Sequence, residues 1–293
     1  MSCLIVPCTR FRPLSVLCAL LSVIFLIQGC ANNPPKPSKE MEDHLSGFEK
    51  KELRIGNQIH KQVLSSFYLY TEPHLIEYVN RIGSSLTRHA ERKNLRYRFT
   101  ILLSERIFAT SAPGGYVYIT TGFLNFLENE AQLAGVLAHE IGQLQYRNPR
   151  LSNSKKALDA ISVGGTLVGG FFGDVGVLAI LGLRAMEVLT DEKSKEARVY
   201  EADKLALNYL AAAGYDPECW MDVLYKFLEI KEHNAADIFD YYNARPITIK
   251  RLQKLKNKFQ KVDIGGKSLE TGGEIYLEET KGVKEIYRTV QVV

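Results

Sequence analysis

Residues 133–148 read LAGVLAHEIGQLQYRN, and the fold of the whole chain turns on this stretch. Leu133, Val136, Leu137 and Ile141 recur at helical spacing and make a stripe suited to burial. Asn129 is placed to start this helix, and Asn148-Pro149 to end it. His139 and Glu140 sit side by side within it, and Gln143 follows His139 by four residues. Four residues is about one helical turn, so the imidazole and the amide share a face. Three polar side chains on an otherwise apolar helix mark the place where chemistry is to be sought.

Length and charge set the bounds. At 293 residues the chain suits one domain with appendages. Thirty-seven basic residues nearly balance 33 acidic ones, for a formal charge of +4. A dedicated nucleic-acid binder would carry a strong basic footprint, so nucleic acid is not an expected partner.

Residues 1–29 have the pattern of a signal peptide. Arg10 and Arg12 form a basic start, and residues 14–27 form an apolar run that ends in Ile27-Gln28-Gly29-Cys30. That run is short for a bilayer span. A small residue before a Cys at this place resembles a bacterial lipobox, which implies cleavage before Cys30 and lipid attachment there. Residues 30–39 are then a lipidated Cys and a Pro-rich tether. Cys3, Cys8 and Cys18 leave with the leader, and Cys219 stays alone, so no internal disulfide is expected.

The domain proper is expected over residues 40–260. Helices are predicted over 40–68 and, after Pro73, over 74–90. Residues 97–103 (YRFTILL) and 116–121 (YVYITT) read as strands, with a turn at Ala112-Pro113-Gly114-Gly115. Thr121 is the expected cap of a short helix ending at Leu127. Residues 160–183 are apolar, but five glycines within 164–173 and Asp174 speak against a membrane span. They favour a loop and helix packed over the site or at a membrane surface. Further helices are expected over 192–213, 220–231 and 247–259, the last one basic on its outer face. Residues 261–293, with Gly265-Gly266, Gly272-Gly273 and β-branched ends, read as a short β-rich tail. The fold class is therefore α+β and mostly helical, with a small sheet beside the helix that carries His139.

His139-Glu140 followed by Gln143 is one letter away from H-E-x-x-H, in which two histidines hold zinc and the Glu activates its water. Further landmarks stand in order around it: Tyr78-Val79-Asn80-Arg81-Ile82-Gly83, then Pro113-Gly114-Gly115-Tyr116-Val117-Tyr118, then Glu128-Asn129-Glu130, Ala202-Asp203, and Arg245-Pro246 with Arg251. With this series the chain resembles the HtpX/BepA-like gluzincin zinc metalloendopeptidases, over about residues 48–259. The resemblance implies a gluzincin-type metallopeptidase domain and zinc in relatives. It implies Glu140 at the general-base position, His139 as a retained ligand, and Asp203 as its partner behind the metal. It also implies that extended polypeptides pair with a strand edge by the cleft, here Gly114, Gly115, Tyr116, Val117 and Tyr118.

The departures fall on the chemistry. Gln143 replaces the second His, and Val199 occupies the third ligand position, four residues before Asp203. Glu201 is nearby, but two residues turn a helical side chain to the opposite face. Glu196 lies a turn before Val199 and offers a remote substitute. Arg245 stands where the family has a His near the site, and Asn148 replaces another family His. A guanidinium at 245 suggests a charge standing in for the metal between Glu140 and Asp203. A catalytic zinc takes three protein ligands and a water, and an amide plus a valine supply little of that. The expected reading is a lipid-anchored envelope protein that does not cut polypeptides but acts as a peptide-binding adaptor or a regulator in envelope protein quality control, with zinc absent or weakly held. Ala31 after Cys30 points to the periplasmic face of the outer membrane. The alternative is an active zinc metalloendopeptidase with an unusual ligand set.

Overall fold

In a computed structural model, which describes residues 45–145, 192–232, 247–262 and 269–290, the first element is helix α1, Gly47–Ser66. The expected leader, Cys30 and its tether, Asn148, residues 160–183 and Arg245 lie outside the described residues. Helix α1 starts later than its predicted residue 40, at a capping box. The Ser46 hydroxyl accepts from the Glu49 amide at 3.3 Å, and the Ser46 amide donates to the Glu49 carboxylate at 2.8 Å. Helix α2, Pro73–Thr87, opens on Pro73, and the Glu72 carboxylate accepts from the amides of His74 and Leu75. Leu75, Tyr78, Val79, Ile82 and Leu86 form its buried face, as their spacing predicts.

Three strands follow: β1 (Arg98–Leu102), β2 (Ala109–Ala112) and β3 (Tyr116–Thr120). The order in the sheet is β1-β3-β2. Strand β3 pairs parallel with β1, Arg98 opposite Tyr116, and antiparallel with β2, Ser111 opposite Val117. Sequence reading missed β2, because Ala-Thr-Ser-Ala has neither bulk nor alternation. The β2–β3 turn needs its glycines: Gly114 and Gly115 have φ of 83° and 92°. One face of the sheet, with Leu102, Phe108, Tyr116 and Tyr118, packs on Ile55, Ile59 and Val63 of α1. The other face, with Phe99, Ile101, Val117 and Ile119, joins the main core.

The Thr120 hydroxyl, not that of Thr121, caps helix α3, Thr121–Phe126, accepting from the Phe123 amide at 3.2 Å. Helix α4, Glu130–Gln145, follows and is buried on nearly every side, as expected of a helix at the centre of a domain. Helix α5, Glu192–Ala213, packs along it. The two come very close at Gly142, where an added Cβ would stand 2.8 Å from the Ala202 carbonyl oxygen. Helix α6, Glu218–Glu232, brings Trp220 against Gly135 of α4, and helix α7, Ile249–Phe259, lies against α5 and α6.

The tail is not the β-rich segment expected for 261–293. It forms helices α8, Gly273–Glu279, and α9, Lys281–Val290, and its β character is a single bridge of Glu270 to Tyr215 among the described residues. Tyr276, Val283 and Tyr287 recur at intervals of seven and four, and this helical period outweighs their β-forming composition. Tyr276 and Val283 are fully buried, and the Tyr276 hydroxyl donates to the Leu124 carbonyl. Lys284 donates to the carbonyls of Asn125 and Leu127 at the end of α3, which satisfies orphan acceptors there. Among the described residues no helix is long and apolar enough to cross a membrane.

Candidate active site

The centre lies where α4, α5, α6, α7 and β2 meet. Helix α4 supplies His139, Glu140 and Gln143, all buried. Helix α5 supplies Val199 and Asp203, one turn apart and both buried, so the valine stands at the position from which a third ligand would reach in. Helix α6 adds Trp220 and helix α7 adds Arg251.

Asp203 is the hub. The Nδ1 of His139 lies 2.8 Å from Asp203 Oδ1. Arg251 grips the same carboxylate with two donors, Nε to Oδ2 at 2.7 Å and an Nη to Oδ1 at 2.9 Å. The Trp220 indole N–H donates to Oδ1 at 3.3 Å, and its ring lies 5.2 Å from the His139 ring, tilted by 31°. Complete burial alone would push the Asp203 carboxyl up. The Arg251 guanidinium and the His139 ring together outweigh that and hold its pKa at about 2.

An ionised Asp203 fixes the tautomer of His139. Nδ1 carries the proton that faces the carboxylate, and Nε2 carries the lone pair. This is the form a metal-binding imidazole takes. Here the group facing that lone pair is the Gln143 amide nitrogen, 3.2 Å away, so an N–H of Gln143 donates to Nε2. Glu140 Oε2 accepts from the Ser111 hydroxyl of β2 at 3.0 Å, which ties the carboxylate to the sheet.

Among the described residues no three His, Cys, Asp or Glu side chains are grouped so as to hold a metal ion. The residues at the ligand positions are an imidazole whose lone pair already has a donor, an amide and a hydrocarbon. This set does not fit a catalytic zinc, which takes three N, O or S ligands. Glu201 is on the outside of α5 as predicted, paired with Lys204 at 2.8 Å, and Glu196 is exposed, so neither substitutes for Val199.

Arg251 supplies a guanidinium to the buried Asp203 carboxylate, and Arg245, expected to bring one between Glu140 and Asp203, lies outside the described residues. Helix α7 sends Arg251 inward because Leu252 and Leu255, one and four residues on, share its buried face. The strand of Tyr116, Val117 and Tyr118 offers no edge to a peptide. Strand β3 is central, buried throughout and paired on both sides, and Gly114 and Gly115 pack closely on Leu53 and Arg96. The sheet edge beside the site is β2. The Thr120 amide donates to the Phe108 carbonyl, so Thr110 and Ala112 also turn their backbone groups to β3, and Ser111 turns its own away. Ser111 and Trp220 are the site residues that sequence reasoning missed. Trp220 is the chain's only tryptophan, which was a usable signal; Ser111 carried none.

A buried His-Glu helix beside a small sheet, with an aspartate from a second helix behind the histidine, is the frame of a metallopeptidase domain. The sequence pattern of peptidase family M48 matches residues 73–258, and the chain belongs to that family. The family is in general zinc-dependent. The beta-barrel assembly-enhancing protease of Escherichia coli (strain K12) is 24% identical over 212 residues, 71% of this chain and 43% of that protein. Its counterpart in Yersinia pestis is 25% identical over 215 residues, with the same shares of each. A putative beta-barrel assembly-enhancing protease of Vibrio cholerae serotype O1 is 25% identical over 170 residues, 56% of this chain and 35% of that protein. The chain thus spans less than half the length of these relatives.

Proposed function

We propose that this protein is a lipid-anchored, cell-envelope member of family M48 whose catalytic centre has become a metal-free structural node, and that it binds polypeptides as an adaptor in envelope protein quality control. The observation that carries this reading is the Gln143 N–H on His139 Nε2, with Val199 at the third ligand position. In a zinc peptidase that lone pair holds the metal, and the metal generates the nucleophile. Here the amide takes the coordination site and Ser111 holds Glu140, while Asp203 keeps Arg251, a residue of the family pattern, as its countercharge. The names of the relatives support a place in beta-barrel assembly, and the lipobox-like sequence before Cys30 supports attachment to a bilayer. The strand proposed to pair with an extended client is β2, the sheet edge next to Glu140, whose four residues are buried in this structure.

The test is metal content and proteolysis on residues 31–293, purified without chelator. Substoichiometric zinc and no cleavage of an unfolded substrate are expected. The double variant Gln143→His with Val199→Glu should gain about one zinc, since three ligands then face one point. One zinc in the unmodified protein, with cleavage that disappears in Glu140→Gln, would establish the active-peptidase alternative and refute the proposal.

A further inference from the structure

Helix α7 has a second face. Its inward side carries Arg251, Leu252 and Leu255; a row at intervals of four begins with exposed Lys250 and Lys254 and ends with half-buried Lys258. Lys261 follows in the turn that ends the helix, and Lys256 is exposed on the flank. No Asp or Glu occurs between residues 247 and 262, in a chain whose charges otherwise nearly balance. Helix stability does not explain this row. Like charges four apart repel, and Lys250 lies in the first turn, where the helix dipole disfavours a cation. Lys256 and Lys258, in the last turn, suit the dipole, but Lys250 and Lys254 do not have that excuse. At the head of the row Ile249 is 65% exposed. Beside it the Tyr200 ring of α5 lies under Lys254 and Lys204, at 5.3 and 5.7 Å from their ammonium nitrogens.

We propose that this lysine row with Ile249 is a docking face for anionic phospholipid headgroups. Flexible ammonium groups suit a fluid array of phosphates, which demands charge but no fixed geometry. An exposed isoleucine among lysines is the pattern of a helix lying in a membrane interface. A row about 16 Å long on one helix is small for a nucleic-acid footprint, and the chain as a whole lacks the basic excess of one. The proposal rests in part on lipid attachment at Cys30, which would hold the domain within reach of a bilayer.

Vesicle flotation tests this with residues 31–293, which include the whole compact unit from Leu45 onward and carry no lipid of their own. The protein should float with vesicles of phosphatidylcholine mixed with phosphatidylglycerol, not with phosphatidylcholine alone, and salt should abolish binding. An attraction of about fivefold per lysine near such a surface makes the expected loss more than about tenfold when Lys250, Lys254, Lys258 and Lys261 are all changed to Gln. A control with Lys50→Gln, Lys61→Gln and Lys281→Gln, all exposed elsewhere, should float like the parent. All three proteins should melt alike. Equal flotation of the ridge variant, or no flotation of the parent, overturns the proposal. Ridge-dependent retention on polyglutamate without flotation also overturns it, in favour of an acidic protein partner. Lipid on Cys30 is read separately, from the mass of the amino-terminal peptide of the full chain, so the two ideas fail independently.

Discussion

Arg251→Met should be among the most damaging single changes in the domain. Asp203 is fully buried, and Arg251 is a cationic partner of fixed charge, through two bonds of 2.7 and 2.9 Å. Methionine keeps much of the volume but removes both guanidinium bonds, leaving the His139 ring and the Trp220 indole N–H against the carboxylate. Breaking one side of a buried pair typically costs about 3–5 kcal/mol. For a domain of this size that lowers the melting temperature by about 10 °C. The pH dependence carries a signature. In the parent, the Asp203 pKa is lowered from 3.8 to about 2, so its contribution is complete above pH 3.8 and is lost as the pH falls through 2. Without Arg251, burial is opposed by the His139 contact alone of the two, and the folded-state value rises from about 2. The variant then gains stability relative to the parent as the pH is lowered from neutrality. The assay is urea unfolding followed by circular dichroism at several pH values. Arg251→Met, Asp203→Asn and the double variant complete a cycle, and the double variant should lose less than the sum of the two. A loss under about 1 kcal/mol for Arg251→Met, with additive doubles, would refute the view of Arg251 as the balancing charge.

Two other predictions concern parts that position the site. His60 of α1 is buried, its Nδ1 2.9 Å from the Tyr118 hydroxyl and its ring stacked on Tyr116 at 4.6 Å. Burial, and then the Arg98 charge, lower its pKa from 6.5, so stability is full above that pH and declines as the pH falls through the folded-state value. Urea midpoints measured at about pH 5 and about pH 8 should differ more in the parent than in His60→Phe; an unchanged difference would clear His60 of the effect. Gly142→Ala puts a methyl 2.8 Å from the Ala202 carbonyl oxygen and 3.0 Å from its Cα. The clash is with backbone, so a loss of about 1–3 kcal/mol is expected despite the better helix propensity of alanine. A rise in melting temperature would show that α4 and α5 separate freely.

The sequence determined the long helices, because their apolar residues repeat at the helical period over many turns. Its resemblance to a known family pointed to the place of the chemistry as well, implying that His139, Glu140 and Gln143 on one helix meet Val199 and Asp203 on another. That Glu201 points outward was legible because helical geometry is local. The tertiary structure decided what no local rule encodes. It chose β3 as the central strand and so left β2 at the sheet edge beside the site, a matter of pairing between segments rather than of composition. It made the tail helical, where the β-forming residues taken singly had suggested strands. It also brought Arg251 and Trp220 onto Asp203 across 48 and 17 residues of chain. A buried carboxylate must find its countercharge somewhere in space, and only the packing of α7 against α5 specifies which arginine supplies it.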